Sequence, residues 1–141
     1  MSKYHARITM RDGIKFHSKK EAARYQQLKY LQMAGDIYDL TCQPSFLLFK
    51  GRRNDFDKIK DQNGTYTADF AYTLSKDQEL VSTTYVKRNK VYFTEYIYIA
   101  GKKDQQVIED VKSEITSDNA LFRFKWRWVR STHPEIIFLM T

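Results

Sequence analysis

The chain has 141 residues, 42% of them hydrophobic and 15% aromatic, which is enough for one domain with a real core and excludes disorder as its overall state. Twenty-four Lys and Arg against seventeen Asp and Glu leave a net charge of +7, which suits a polyanionic partner because cations on phosphates release condensed counterions. Cys42 is the only cysteine, so an internal disulfide and a multi-cysteine zinc site are excluded.

Cys42 reads as a small buried hydrophobe in a reducing compartment. The N-terminal MSKYHARITMRDG has no apolar run, and no stretch reaches the roughly 18 apolar residues of a membrane span. A soluble, cytoplasmic protein is expected, with no membrane partner.

Residues 4–16, YHARITMRDGIKF, alternate loosely around Asp12-Gly13 and read as a short hairpin or two edge strands. A helix follows. Ser18 with Glu21 three residues on is a capping-box pattern, EAARYQQLKYLQMA is made of good helix formers, and Gly35 supplies a left-handed stop. On a helical wheel Glu21, Tyr25, Leu28 and Gln32 share one face. Glu21 then has two readings: a cap on the helix N-terminus, or an acid reaching across to a sheet. The two are compatible.

In DIYDLTCQPSFLLF, Pro44 argues against a central strand at that point, while Phe46 to Phe49 reads as a strand. Residues 51–64, GRRNDFDKIKDQNG, read as a solvated loop whose Arg52, Arg53, Lys58 and Lys60 are candidate nucleic-acid contacts. YTADFAY is expected as one strand, with Tyr66, Ala68, Phe70 and Tyr72 on one face and Thr67, Asp69 and Ala71 on the other. Segments 80–87 and 91–100 flank Arg88-Asn89-Lys90 as a long hairpin. A meander would place that hairpin beside the next strand, VIEDVK.

In VIEDVK (107–112), alternation sets Ile108, Asp110 and Lys112 on one face and Val107, Glu109 and Val111 on the other. Buried charges need partners or a metal. Asp110 and Lys112 are therefore either an ion pair at a strand end or half of a metal-dependent phosphodiesterase site. The segment Thr116 to Asn119 then offers several N-caps for a helix, ALFRFKWRWVR. Arg123, Arg127 and Arg130 form a basic stripe on that helix. The opposite arc holds Leu121, Phe122, Phe124, Trp126, Trp128 and Val129, with Lys125 at its middle. Lys125 is either a snorkelling stem or a second cation aimed at a phosphate. EIIFLM closes the chain as a buried strand. His5, His17 and His133 have no spacing that marks a metal site or a triad.

Taken in order, the chain offers a helix acid, Glu21, then a strand acid, Asp69, then Asp110-x-Lys112. This order resembles the PD-(D/E)XK nuclease superfamily. FHSKKEAARYQQL, CQP, YTADFAY and VIEDVK look more closely like a family of small phage-encoded proteins in it, described as phage endonucleases or Holliday-junction-resolvase-like proteins. The connection between Asp69 and Asp110 is longer here, by an inserted hairpin of about residues 79–100, and Ser113 stands where Gly is common.

The resemblance implies an α/β fold, a restriction-endonuclease-like central mixed sheet flanked by helices, over residues 1–141 as one domain. It implies a Mg²⁺-dependent DNA endonuclease, with Mn²⁺ as a substitute, selective for branched or junction DNA in phage recombination or DNA processing. A phage-encoded chain would act in the host cytoplasm. Asp69, Asp110 and Glu21 would serve the ion, while Lys112 would orient the attacking water or stabilise charge on the phosphate. Lys125, Arg123, Arg127, Arg130, Lys19 and Lys20 would contact DNA. Cutting a symmetric junction on two strands would favour a homodimer. A nicking or end-processing nuclease of the same fold, and a non-catalytic DNA-binding or interaction module, stand as alternatives.

Overall fold

The structure, a computed structural model, describes residues 7–52 and 61–141. Arg53, Lys58 and Lys60, named above as DNA contacts, lie outside the described residues, as does His5. The elements in order are β1 (Thr9–Arg11), β2 (Ile14–Phe16), α1 (Lys19–Met33), β3 (Ile37–Cys42), β4 (Ser45–Phe49), β5 (Gly64–Thr67) and β6 (Phe70–Leu74). They continue with β7 (Gln78–Arg88), β8 (Val91–Gly101), β9 (Gln106–Asp110), α2 (Glu114–Ser117), α3 (Ala120–Thr132) and β10 (Ile137–Met140). No helix among the described residues is long and apolar enough to cross a membrane.

Local chemistry sets the first elements. β1 and β2 pair antiparallel across Asp12 and Gly13, both at positive φ as a two-residue primed turn requires. The Ser18 hydroxyl accepts from Glu21 N and starts α1. At its other end Gly35, at φ +84, lets Gly35 N reach Gln32 O and Asp36 N reach Leu31 O. That double closure stops the helix.

The core is a mixed four-stranded sheet in the order β10-β9-β6-β3, with β10 parallel to β9 and the other pairs antiparallel. Alternation divides its side chains between two apolar layers. Phe70, Tyr72, Leu74, Val107, Val111, Ile137 and Leu139 pack under α1 with Ala22, Tyr25 and Leu28. Ala71, Ile108, Phe138 and Met140 pack on the other face with Trp126 and Val129 of α3. The fold class is thus α/β, with a central mixed sheet and helices.

YTADFAY is not one strand. β5 pairs with β4 and β6 with β3, so the two pairs form a long ribbon bent between them. Pro44 has no N–H to give, and Gln43 takes φ +56. The opposing chain answers at Ala68 and Asp69, with Ala68 N donating to Pro44 O and Gln43 N to Asp69 O. The bend reverses the parity expected from alternation. Tyr66 and Ala68 lie in the α3 layer with Ala71, whereas Phe70 and Tyr72 lie under α1.

The hairpin of β7 and β8 forms as expected, closed by Asn89 and Lys90 at positive φ. It does not lie beside β9, however. Both edges of β9 are taken by β10 and β6, and the hairpin makes its own two-stranded sheet. Its anchor is at β10, where Met140 N donates to Ser82 Oγ at 2.9 Å. Two elements were not anticipated, β3 and the short α2, which Ser113 caps by a box with Thr116. On α3 the apolar arc is narrower than expected. Trp126 and Val129 are buried, but Leu121 and Phe124 are each 61% exposed.

Candidate active site

Asp110 ends β9 on the α3 side of the sheet, and β6 approaches it through Asp69, just past the bend of the ribbon. Asp69 N donates to Glu109 O at 3.0 Å, and Asp69 Oδ2 accepts from Val111 N at 2.6 Å. These two bonds clip the Asp69 carboxyl against the end of β9, where the charge of Asp110 acts on it.

Asp110 is 2% exposed, and both of its oxygens are engaged. Oδ1 lies 2.8 Å from Lys112 Nζ, and Oδ2 accepts from the Tyr66 hydroxyl at 2.5 Å. The expected Asp110–Lys112 face therefore exists. β9 stops at Asp110, but Thr141 N to Asp110 O and Lys112 N to Thr141 O carry the pairing with the last strand onward. Lys112 Nζ also stands 4.4 Å from the centre of the Phe122 ring, which pins it to the start of α3.

Burial raises the Asp69 carboxyl to about 8, with the charges of Asp110 and Glu21 adding to it and the Val111 N–H opposing. Two carboxyl groups this close resist ionising together. Burial, with Asp110 beside it, likewise pushes the Tyr66 phenol up, so it stays a hydrogen-bond donor to Asp110.

Glu21 comes to this end of the sheet from the α1 side. Its Oε2 accepts from His17 N at 3.2 Å, so the cap is real but reaches one residue farther back than a capping box. Its charge is felt at Asp69. Among the described residues, however, no three His, Cys, Asp or Glu side chains gather as around one ion. Asp69 is held at the end of β9 by the backbone on either side of Asp110, at Glu109 and Val111, and Glu21 acts on it only through its charge.

Glu109 faces the other way, into the α1 layer. It is fully buried and takes a bidentate contact from Arg24, with Nη2 to Oε1 at 2.6 Å and Nε at 3.1 Å from both oxygens. Burial pushes its carboxyl up while Arg24 and Tyr72 pull it down. Neither Arg24 nor Tyr66 stood out in the sequence. Arg24 shares a helix face with Leu28, a signal that could have paired it with Glu109; the parity of Tyr66 was hidden by the bend.

The basic candidates divide. Lys20 Nζ donates to Lys112 O at 2.5 Å, next to the site, and Lys19 is exposed. Arg123, Arg127 and Arg130 line a groove between α3 and the hairpin. Lys125 is half-buried and makes no hydrogen bond or ion pair among the described residues, so nothing places its ammonium at the carboxylates.

No curated protein and no solved structure matches the chain. Residues 1–99 match the family described as a protein of unknown function (DUF1064), a match that ends in β8, ahead of Asp110 and Lys112. It covers well over half of the 141 residues, and the chain belongs to that family.

Proposed function

We propose that the chain is a Mg²⁺-dependent deoxyribonuclease of the PD-(D/E)XK type, hydrolysing phosphodiester bonds of DNA. The observation that carries this reading is the convergence of Asp69, Asp110 and Lys112 at one sheet end, with Lys112 Nζ 2.8 Å from Asp110. A structural ion pair needs one acid. The second carboxyl, raised to about 8 by its surroundings, leaves a site short of positive charge.

The donor set fits a hard cation, which takes carboxylate oxygen and water. Asp69 and Asp110 would hold Mg²⁺, with Mn²⁺ as a substitute, and Glu21 would add its charge from the α1 side. Bound there, the ion would polarise the scissile phosphate and acidify a water. The chain's own residues position and neutralise, which is most of what phosphoryl transfer asks. Tyr66 fixes the rotation of the Asp110 carboxylate. Lys112, freed from Asp110 by a competing cation, would orient the attacking water or hold charge on the phosphate. Tyr66 is itself buried in the hydrophobic layer with Ile108 and Trp126, which fixes where its hydroxyl meets Asp110.

The preference for branched or junction DNA, and a role in phage recombination, rest on the resemblance of the motifs. Nicking or end processing would use the same chemistry on another substrate. The test is a cleavage assay with Mg²⁺ on duplex, flap, single-stranded and four-way-junction DNA. Cleavage that requires the ion, and is strongest on a branched substrate, is expected; no cleavage of any substrate with Mg²⁺ or Mn²⁺ would remove the reading.

A further inference from the structure

The inserted hairpin does more than lengthen the chain between the two acids. It stands opposite α3 and makes the second wall of a groove of about 510 Å³. Among the described residues, the charged ones lining it are Lys87 on β7, Arg123, Arg127 and Arg130 on α3, and one acid, Asp118. Asp118 also ties the walls together. Its Oδ2 accepts from the Tyr92 hydroxyl at 3.2 Å and lies 3.8 Å from Lys87 Nζ, both on the hairpin, while Oδ1 lies 3.7 Å from Arg123 Nη1.

The groove leads somewhere. A second depression of about 410 Å³ shares Asp118 and Phe122 with it and reaches Lys112. Phe122 is thus common ground, lining the groove and carrying the Lys112 ammonium on its ring.

We propose that this groove binds one strand of nucleic acid by its sugar–phosphate backbone and leads it past Phe122 to Lys112 and Asp110. The destination rests on the nuclease reading above; the binding does not. Cations at i, i+4 and i+7 along α3 present a repeating row, which matches a repeating polyanion better than a lone carboxylate or phosphate. The hairpin wall turns that row into a groove whose volume of about 510 Å³ suits one strand better than the two of a duplex. Trp126 is 8% exposed beneath Arg130, whose guanidinium lies 5.7 Å from its ring centre. Trp126 therefore offers little surface for stacking, and the row of cations makes backbone charge the main basis of recognition, tolerant of base sequence.

The test is anisotropy of labelled oligothymidylate and of a blunt duplex, with the full chain in EDTA so that nothing is cut. The strand is expected to bind more tightly than the duplex. Lys87→Gln and Arg127→Gln should each weaken strand binding several-fold and make its salt dependence shallower by about one unit. Lys103→Gln, in the turn before β9 and away from the groove, should bind as wild type does. Equal affinity for duplex with equal losses in the variants would overturn the proposal. So would wild-type binding by both groove variants, or displacement of the strand by polyglutamate at matched charge. Tight strand binding without any Mg²⁺-dependent cleavage would support the groove and overturn only the nuclease reading.

Discussion

Lys112 reaches back across one residue to Asp110, Nζ to Oδ1 at 2.8 Å, at the buried end of a strand. The other oxygen of Asp110 belongs to Tyr66, at 2.5 Å. A carboxylate with a cation on one side and a phenol on the other is satisfied and fixed in rotation, which is how a buried acid avoids the cost of lost hydration. Tyr66→Phe keeps the ring that packs against Phe46 and Trp126 and removes only the hydroxyl. We expect a loss of about 1–3 kcal/mol in urea unfolding, together with a higher Mg²⁺ requirement for cleavage. Unchanged stability and unchanged Mg²⁺ dependence would show that Tyr66 does not position Asp110.

Glu109 and Asp110 are neighbours with opposite assignments. Glu109→Gln leaves Arg24 without its charge partner in the α1 layer, and the expected cost is about 3 kcal/mol, because breaking a buried pair strands the remaining charge. Cleavage by the folded variant should stay within a few-fold of wild type. A folded Glu109→Gln that cannot cut, beside an active Asp110→Asn, would put the site on the wrong face of the sheet.

The Asp69 carboxyl, raised to about 8, makes a pH prediction. The unfolded chain releases this proton near pH 4 and the folded chain holds it to about pH 8. The folded state then binds more protons across that window, so stability falls as pH rises from about 4 to 8 and levels off above. Asp69→Asn should flatten the profile and be the more stable protein at about pH 8, by an amount on the order of a few kcal/mol. The measurement is urea unfolding at a series of pH values without metal. Parallel profiles for the two proteins would contradict the assignment.

What the sequence disclosed follows from how far each signal acts. The Asp12-Gly13 and Asn89-Lys90 turns and the caps at Ser18 and Gly35 are local, and each lies where local chemistry places it. The facing of Asp110 with Lys112, and of Glu109 against them, needed only alternation within one strand. Tyr66 could not be placed the same way, because alternation carries no parity across the bend that Gln43 and Pro44 impose from the opposite chain. The order of the sheet was hidden for a related reason. β10 takes the free edge of β9 from the far end of the chain, and so displaces the hairpin that sequence neighbourhood favours. On α3 the wheel shows an apolar arc, but which part of it is covered depends on β4 and β5, and Leu121 and Phe124 fall outside that cover.

Glu21 separates cap from cation site. Its side chain accepts from His17 N at 3.2 Å, and Gln can accept there as well. Glu21→Gln should therefore change stability by at most about 1 kcal/mol, the share owed to the helix dipole. Because its charge reaches Asp69, we expect the variant to need more Mg²⁺ for the same cleavage rate. Full activity at low Mg²⁺ would leave a two-carboxylate centre.

The most direct measurement is the Mg²⁺ dependence of DNA cleavage by the wild type, Asp69→Asn and Asp110→Asn, each shown to be folded and to bind DNA in EDTA. The wild type should cut only when the ion is present, and both variants should bind DNA without cutting it. Cleavage by either variant at the wild-type rate, or cleavage by the wild type in EDTA, would contradict a metal-dependent site built on Asp69 and Asp110.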